Sequence, residues 1–329
     1  MSIKEKLHIS SIISSFTFRR TTHLCAALFV LFVIPTKLKG QIDAQFTQYM
    51  FNETFINPAY VGSHESISAT LLYRNQWVGI EGAPKTQTFS IHAPLKNRHI
   101  GIGISAMNEE IGISHQLSVN AYFAYRILYP HSALSFGLAG GFKNQEERFS
   151  DVRTIVQGDQ QFISDVNKKF MPNSSFGIYY YNKRFYAGIS IPRLMENKII
   201  ISSANSVVEN KVNYKLWHYN LASGYVFDLK EDLKFKPSVF IKIVQNAPVE
   251  IDVNANFIIH DLLWLGAGYR SGDAVAALFG LQLRKNLLLG YSYDYTLTPL
   301  KTYNSGTHEI SLRYNFGYNK KLVISTRYF

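Results

Sequence analysis

Between Leu117 and Ile127 every second residue is apolar: Leu117, Val119, Ala121, Phe123, Tyr125 and Ile127. The interleaved positions hold Ser118, Asn120, Tyr122, Ala124 and Arg126. A period of two marks a β-strand with one oily and one polar face, and this strand outruns the average of about 5–6 residues. The alternation recurs in Leu134, Phe136, Leu138; in Trp217, Tyr219, Leu221; in Val239, Ile241, Ile243; and in Leu287, Leu289, Tyr291, Tyr293, Tyr295. About fourteen strands follow from it, near 66–77, 86–94, 99–109, 113–128, 131–146, 174–182, 184–191, 214–229, 232–245, 250–259, 262–270, 273–284, 286–296 and 306–318. After residue 40 no segment repeats with a helical period.

The connections sort into two kinds. Tight ones, near 95–98, 129–131, 182–183, 229–232, 260–261 and 284–286, alternate with a set that includes long ones at 78–85, 147–173, 192–213 and 297–306. An even strand count with short turns on one rim and long loops on the other is the pattern of an outer-membrane β-barrel. The expected fold is therefore all-β: a transmembrane antiparallel barrel of about 14 strands, with short periplasmic turns, long extracellular loops and both chain ends on the periplasmic side. A soluble β-sandwich also shows one oily face per strand. Its polar face meets bulk water, however, whereas the polar positions here are rich in Ser, Gly, Ala and Asn, as suits a crowded interior. In hydrocarbon an open sheet edge leaves backbone groups unpaired, so the first strand is expected to pair with the last.

Charge and composition change this picture mainly at the amino terminus. Lys4, Lys6, Arg19, Arg20, Lys37 and Lys39 against Glu5 hold +5 of the chain's formal +11. They flank the 11-residue apolar run Leu24–Ile34, too short to span a bilayer as a helix, which needs about 20 residues. Residues 1–40 thus read as a cleaved signal peptide, with the cut expected after Gly40. The single cysteine, Cys25, lies in this leader, so thiol catalysis and disulfides are not expected of the processed chain. The remaining basic residues are scattered, with no nucleic-acid footprint.

Catalytic signatures are missing as well. Gly101-Ile102-Gly103 lacks the third glycine of a nucleotide fingerprint, and His115 and Ser118 fall on opposite faces of their strand. We expect no enzyme and no cofactor or metal. The acids Asp151, Asp159 and Asp165 in the longest loop match no calcium-loop spacing. The polar strand faces carry Arg126, Lys143, Lys234, Lys236, Lys242, Arg284 and Arg313 with Asp228, Asp252, Asp294 and Glu309. These could be a paired network filling the lumen or a path for anions. Fourteen strands fall short of the roughly 16–18 that leave a clear channel, which favours the network. Ahead of the first strand, QFTQYMFNETFINPAYVGS (45–63) is too aromatic for a free tail. Pro58 keeps Asn57 out of the helical region, and Asn57 can cap a turn. The segment is either a plug in the periplasmic mouth or a docking strip for a periplasmic partner.

The same stretch, with YRNQWVGIEGAPKTQTFSIHAPL (73–95), KFMPNSSFGIYYYNKRFYAGISIPRL (169–194) and GTHEISLRYNFG (306–317), resembles the PorP/SprF family of type IX secretion proteins over nearly the whole processed chain. The resemblance implies an outer-membrane barrel that helps export cargo, or anchors it at the cell surface. Its implied partners are cargo C-terminal domains, among them gliding adhesins, other secretion-system components and outer-membrane lipid. A passive or hydrophobic-solute channel is the alternative. The domains expected are a leader (1–40), a periplasmic or plug segment (41–65), the barrel (66–318) and a tail or strand extension (319–329). Residues expected to contact a partner or to form the plug are Asn57, Pro58, Tyr60, Trp77, Gly79, Gly82 and Pro84.

Overall fold

A computed structural model describes residues 44–64, 66–148, 166–201, 206–214, 217–245 and 247–317. The leader and its cut, the three loop acids and the 319–329 tail lie outside the described residues. The strands in chain order are β1 (Ile67–Asn75), β2 (Lys85–Pro94), β3 (Ile100–Ile111), β4 (Ser114–Leu128), β5 (Ser132–Glu147), β6 (Val166–Asn182), β7 (Phe185–Ile191), β8 (Met195–Ile201), β9 (Ser206–Val212), β10 (His218–Tyr225), β11 (Phe227–Lys230), β12 (Leu233–Val244), β13 (Glu250–Ile259), β14 (Leu263–Arg270), β15 (Ala274–Arg284), β16 (Leu287–Thr296) and β17 (Thr307–Phe316). β11 carries on the line of β10 after a break at Val226, and both pair with β12. Counted so, the wall is a closed ring of 14 antiparallel strands. First and last strands zip together in register, Leu71 opposite Leu312, Tyr73 opposite Ile310 and Arg74 opposite Glu309.

Every other side chain points out. In β1 these are Ile67, Ala69, Leu71 and Tyr73, while Ser68, Thr70, Leu72 and Arg74 are buried inside. In β4, Leu117, Phe123, Tyr125 and Ile127 are exposed and Ser118, Tyr122, Ala124 and Arg126 are buried. Aromatic rings belt the short-turn rim: Phe227 lies 4.5 Å from Tyr225 and 6.3 Å from Phe235, whose ring is 5.0 Å from Phe257. An apolar outer band with aromatic margins is what an acyl-chain solvent selects.

Three features depart from the alternation. β6 begins at Val166 rather than near 174, because its first residues run on beside β5 (Glu147 opposite Val166) without an apolar period. The loop at 192–213 contains the hairpin β8–β9, hidden in the unalternating runs KIII and SVV. β10 starts at His218 rather than 214. Period two is the signature of a lipid-facing strand, and these runs do not show it.

The larger correction concerns the amino-terminal segment. Gln45 Nε2 donates to Glu250 Oε2 at 3.1 Å, and Glu250 is the first residue of β13, on the long-loop rim. At the other end, Gly62 N–H donates to His92 Nδ1 at 3.1 Å, near the short turns. The segment therefore descends the whole lumen before β1 begins. It does not sit in the periplasmic mouth, and its first described residue is at the opposite rim from the one expected. An Ala44→Cys variant, made with Cys25 replaced by Ser, tests this. A membrane-impermeant maleimide added to intact cells should label Ala44→Cys and Lys301→Cys but leave Lys96→Cys, on a short turn, unlabelled. Labelling of Lys96→Cys without Ala44→Cys would reverse the direction of the segment.

Candidate functional site

The lumen segment consists of three 3-10 turns, Tyr49–Phe51, Glu53–Phe55 and Pro58–Tyr60. All but Ala44 and Phe55 of residues 44–64 are buried. Such short turns leave most backbone donors without a partner of their own, and a buried donor needs one. The wall supplies it. Glu309 accepts from two successive N–H groups, Thr47 at 3.0 Å and Gln48 at 2.8 Å. Arg74 donates to Glu309 Oε2 and Asp294 Oδ2, both at 2.9 Å, and to Thr47 Oγ1 at 3.0 Å. Thr47 Oγ1 in turn donates to Asp294 at 2.6 Å. Arg270 joins from β14, 2.8 Å from Asp252 and 3.3 Å from Thr47 Oγ1. Four charged side chains, Glu309, Arg74, Asp294 and Arg270, thus gather on one threonine, and Asp252 joins through Arg270.

Lower down, rings take over. Phe51 meets Trp264 edge-on at 5.3 Å, and the Arg313 guanidinium lies over Phe51 at 5.2 Å. Lys236 sits 5.7 Å from the Tyr186 ring and 5.5 Å from Trp264. Glu53, buried on the segment, faces the charges of Lys236 and Arg313. Here the buried Lys236 and Arg313 lie opposite a buried carboxylate, as a low-dielectric interior favours.

Asn57, Pro58 and Tyr60 lie together in the lower half of the lumen. Asn57 is extended (φ −142°, ψ 116°) and its Oδ1 accepts from Ala59 N–H at 2.9 Å, capping the turn that Pro58 opens. Its Nδ2 donates to the carbonyls of Ile178 (2.9 Å) and Ile189 (3.3 Å) on adjacent strands. The wall is hollowed to admit it. A Cβ on Gly177 would strike Asn57 Oδ1, and one on Gly137 would strike the Pro58–Ala59 backbone. Tyr60 is edge-on to Tyr179 and His92, and its hydroxyl is 2.5 Å from His64 Nε2. Arg126 closes the base, donating to Gly62 O at 2.5 Å and Tyr181 Oη at 3.1 Å.

Trp77, Gly79, Gly82 and Pro84 lie apart from these, in the β1–β2 loop on the long-loop rim. Positive φ at Trp77 (47°), Gly79 (104°) and Gly82 (72°) folds the loop back on itself, with Gln76 N–H donating to Pro84 O at 2.9 Å. It is stitched to its neighbours by Val78 N–H to Gly306 O (2.9 Å), Ser305 N–H to Val78 O (2.8 Å) and Gly112 N–H to Gly82 O (2.8 Å). Beneath it opens a concavity of about 560 Å³, whose lining includes Val78, Ile80, Glu81, Ala83, Lys85 and Glu110. Among the described residues no group of three or more His, Cys, Asp or Glu is placed to hold a metal ion.

Not all of the expected lumen charges are in the lumen. Arg284 and Asp228 are exposed at the short-turn rim, where Asp228 pairs with Arg184 at 2.5 Å. Lys234 bonds Asp261 at the same rim. Conversely Arg74, Arg270 and Glu53 were not anticipated. Pairing β1 with β17 in register would have set Arg74 against Glu309; nothing in the local sequence points to Glu53. Replacing Arg74 with Ala leaves Asp294 and Glu309 buried without their shared counter-charge. We expect a loss of about 3–5 kcal/mol, read as a lower guanidinium midpoint of the detergent-solubilised barrel. A loss below about 1 kcal/mol would mean that the cluster behaves like a surface pair.

Among solved structures the chain is similar to CymD, a monoaromatic hydrocarbon channel (9% identity, TM-score 0.46, 85% of this chain and 95% of that one). Omp33 of Acinetobacter baumannii is also similar (9%, 0.44, 77% and 100%), as is the Ralstonia pickettii toluene transporter TbuX (8%, 0.45, 80% and 93%). Among curated proteins none matches. A family model described as type IX secretion system membrane protein PorP/SprF matches residues 38–314, taking in the lumen segment and nearly the whole ring. The closed wall with its apolar outer band is an outer-membrane structure, and the chain belongs to the PorP/SprF family of type IX secretion system membrane proteins.

Proposed function

We propose that this outer-membrane component of the type IX system works as a sealed docking platform: it binds cargo at its long-loop rim and does not pass cargo or solutes through its lumen. The observation that carries this reading is the burial of the 44–64 segment along the lumen, from Glu250 at one rim to His92 near the other. A filled barrel is a poor conduit, which weighs against the channel alternative. What remains for binding is the outer surface. There the β1–β2 loop lines a concavity in which the apolar Val78, Ile80 and Ala83 mix with the charged Glu81, Lys85 and Glu110. The loop backbone is held at three neighbouring points, so little ordering entropy is left to lose when a partner binds. In this reading Gly79, Gly82 and Pro84 shape the loop, and Asn57, Pro58 and Tyr60 secure the seal. Cargo C-terminal domains are the partners, motility adhesins among them in gliding organisms.

Two measurements test it. In planar bilayers the full-length protein should be electrically silent; steady open-channel currents would favour the channel reading. Ile80→Asp should leave the barrel folded, judged by its heat-modifiable migration, yet lower co-purification of type IX cargo from native membranes by about tenfold or more, as for a central interface residue. Unchanged cargo recovery would remove the concavity from the account.

A further inference from the structure

The short turns carry an uneven charge. Strand order fixes their sequence around the ring: β15–β16, then the chain ends between β17 and β1, then β2–β3, β4–β5, β6–β7, β11–β12 and β13–β14. From the first of these to β6–β7, the described turn residues include Arg284, Lys285, Lys96, Arg98, Lys183 and Arg184 and no acid. Among the described turn residues, acids enter only on the remaining arc, at Asp228, Glu231, Asp232 and Asp261, where Arg184 pairs with Asp228 and Lys230 and Lys234 offset the others. Across the molecule, the described residues of the long-loop rim are not predominantly basic: Glu81, Glu110, Glu146 and Glu147 stand there with Lys85, Arg148 and Lys301.

The depth of these cations is as telling as their sign. Leu283, Leu95, Tyr129 and Phe185 are neighbours in sequence of the basic turn residues or share the rim with them, and the first three are well exposed on the outer wall. Lysine and arginine at the margin of an apolar band extend their charges to the headgroup layer while their stems stay along the oily surface. A leaflet rich in anionic lipid attracts such residues by about 1 kcal/mol each. The charges are also dispersed over separate turns of only a few residues each. Lys96, Lys183 and Lys285 are exposed.

We propose that the arc of short turns from Arg284 through Lys96 to Lys183 is a binding surface for the phosphate headgroups of anionic phospholipids in the periplasm-facing leaflet. It anchors the barrel at a fixed depth and leaves the opposite rim free. This does not depend on the cargo reading.

The test uses full-length protein in detergent, loaded with an equal mixture of phosphatidylglycerol and phosphatidylcholine of the same acyl chains, washed, and assayed for retained lipid by mass spectrometry. Phosphatidylglycerol should be retained in about tenfold excess at low salt, and the excess should fall away between roughly 50 and 500 mM sodium chloride. The combined variant Lys96→Glu/Lys183→Glu/Lys285→Glu should lose the preference, and Lys301→Glu on the other rim should keep it. Equal retention of the two lipids by the unaltered protein overturns the proposal, as does a preference unchanged in the triple variant. So does capture of an acidic periplasmic protein by this arc in the absence of any lipid preference. Should the triple variant fail to fold, the salt series on the unaltered protein decides alone.

Discussion

One ion pair joins the two things this barrel must accomplish. Arg74 is on the first strand and Glu309 on the last, directly opposite in the register that closes the ring. Closure is compulsory, because hydrocarbon offers no partner to an open edge. At the same seam Glu309 accepts the Thr47 and Gln48 amides, and Arg74 donates to the Thr47 hydroxyl. The wall's final pairing and the seating of the lumen segment thus share atoms. Neither is expected to form well without the other, since a half-satisfied buried network is worse than none.

The segment's lack of regular structure follows from its position. A helix satisfies most of its own backbone and would need little from the wall. Three separate 3-10 turns need a great deal, and their polar groups find it in Glu309, in the Ile178 and Ile189 carbonyls and in His92. The wall makes matching allowances where Gly137 and Gly177 leave room for the Pro58–Ala59 backbone and the Asn57 side chain. The lumen is therefore a packed core built from both sides, and open surface is left at the two rims and on the outer wall.

The ring itself was legible in the sequence, because solvation by lipid imposes a period of two that residues such as Leu117 to Ile127 display openly. Asn57 before Pro58 was legible too, since the restriction is local. Other features were not. The hairpin β8–β9 and the first residues of β6 lack the alternation that betrays the membrane strands. Arg270 and Glu53 gain their meaning only from contacts across the lumen, more than 200 residues apart in the case of Arg270 and Thr47. The direction of the segment was misjudged for the same reason: nothing near Gln45 announces that its partner is Glu250.

Residues 45–62 are held in place as firmly as the strands around them, and that is the claim on which the rest stands. Hydrogen–deuterium exchange of the lipid-reconstituted protein, followed peptide by peptide, tests it most directly. The Thr47, Gln48 and Ala59 amides should be protected for as long as those of β1 and β17. Exchange of this segment within seconds, while the wall stays protected, would show that the lumen is open and would contradict the account.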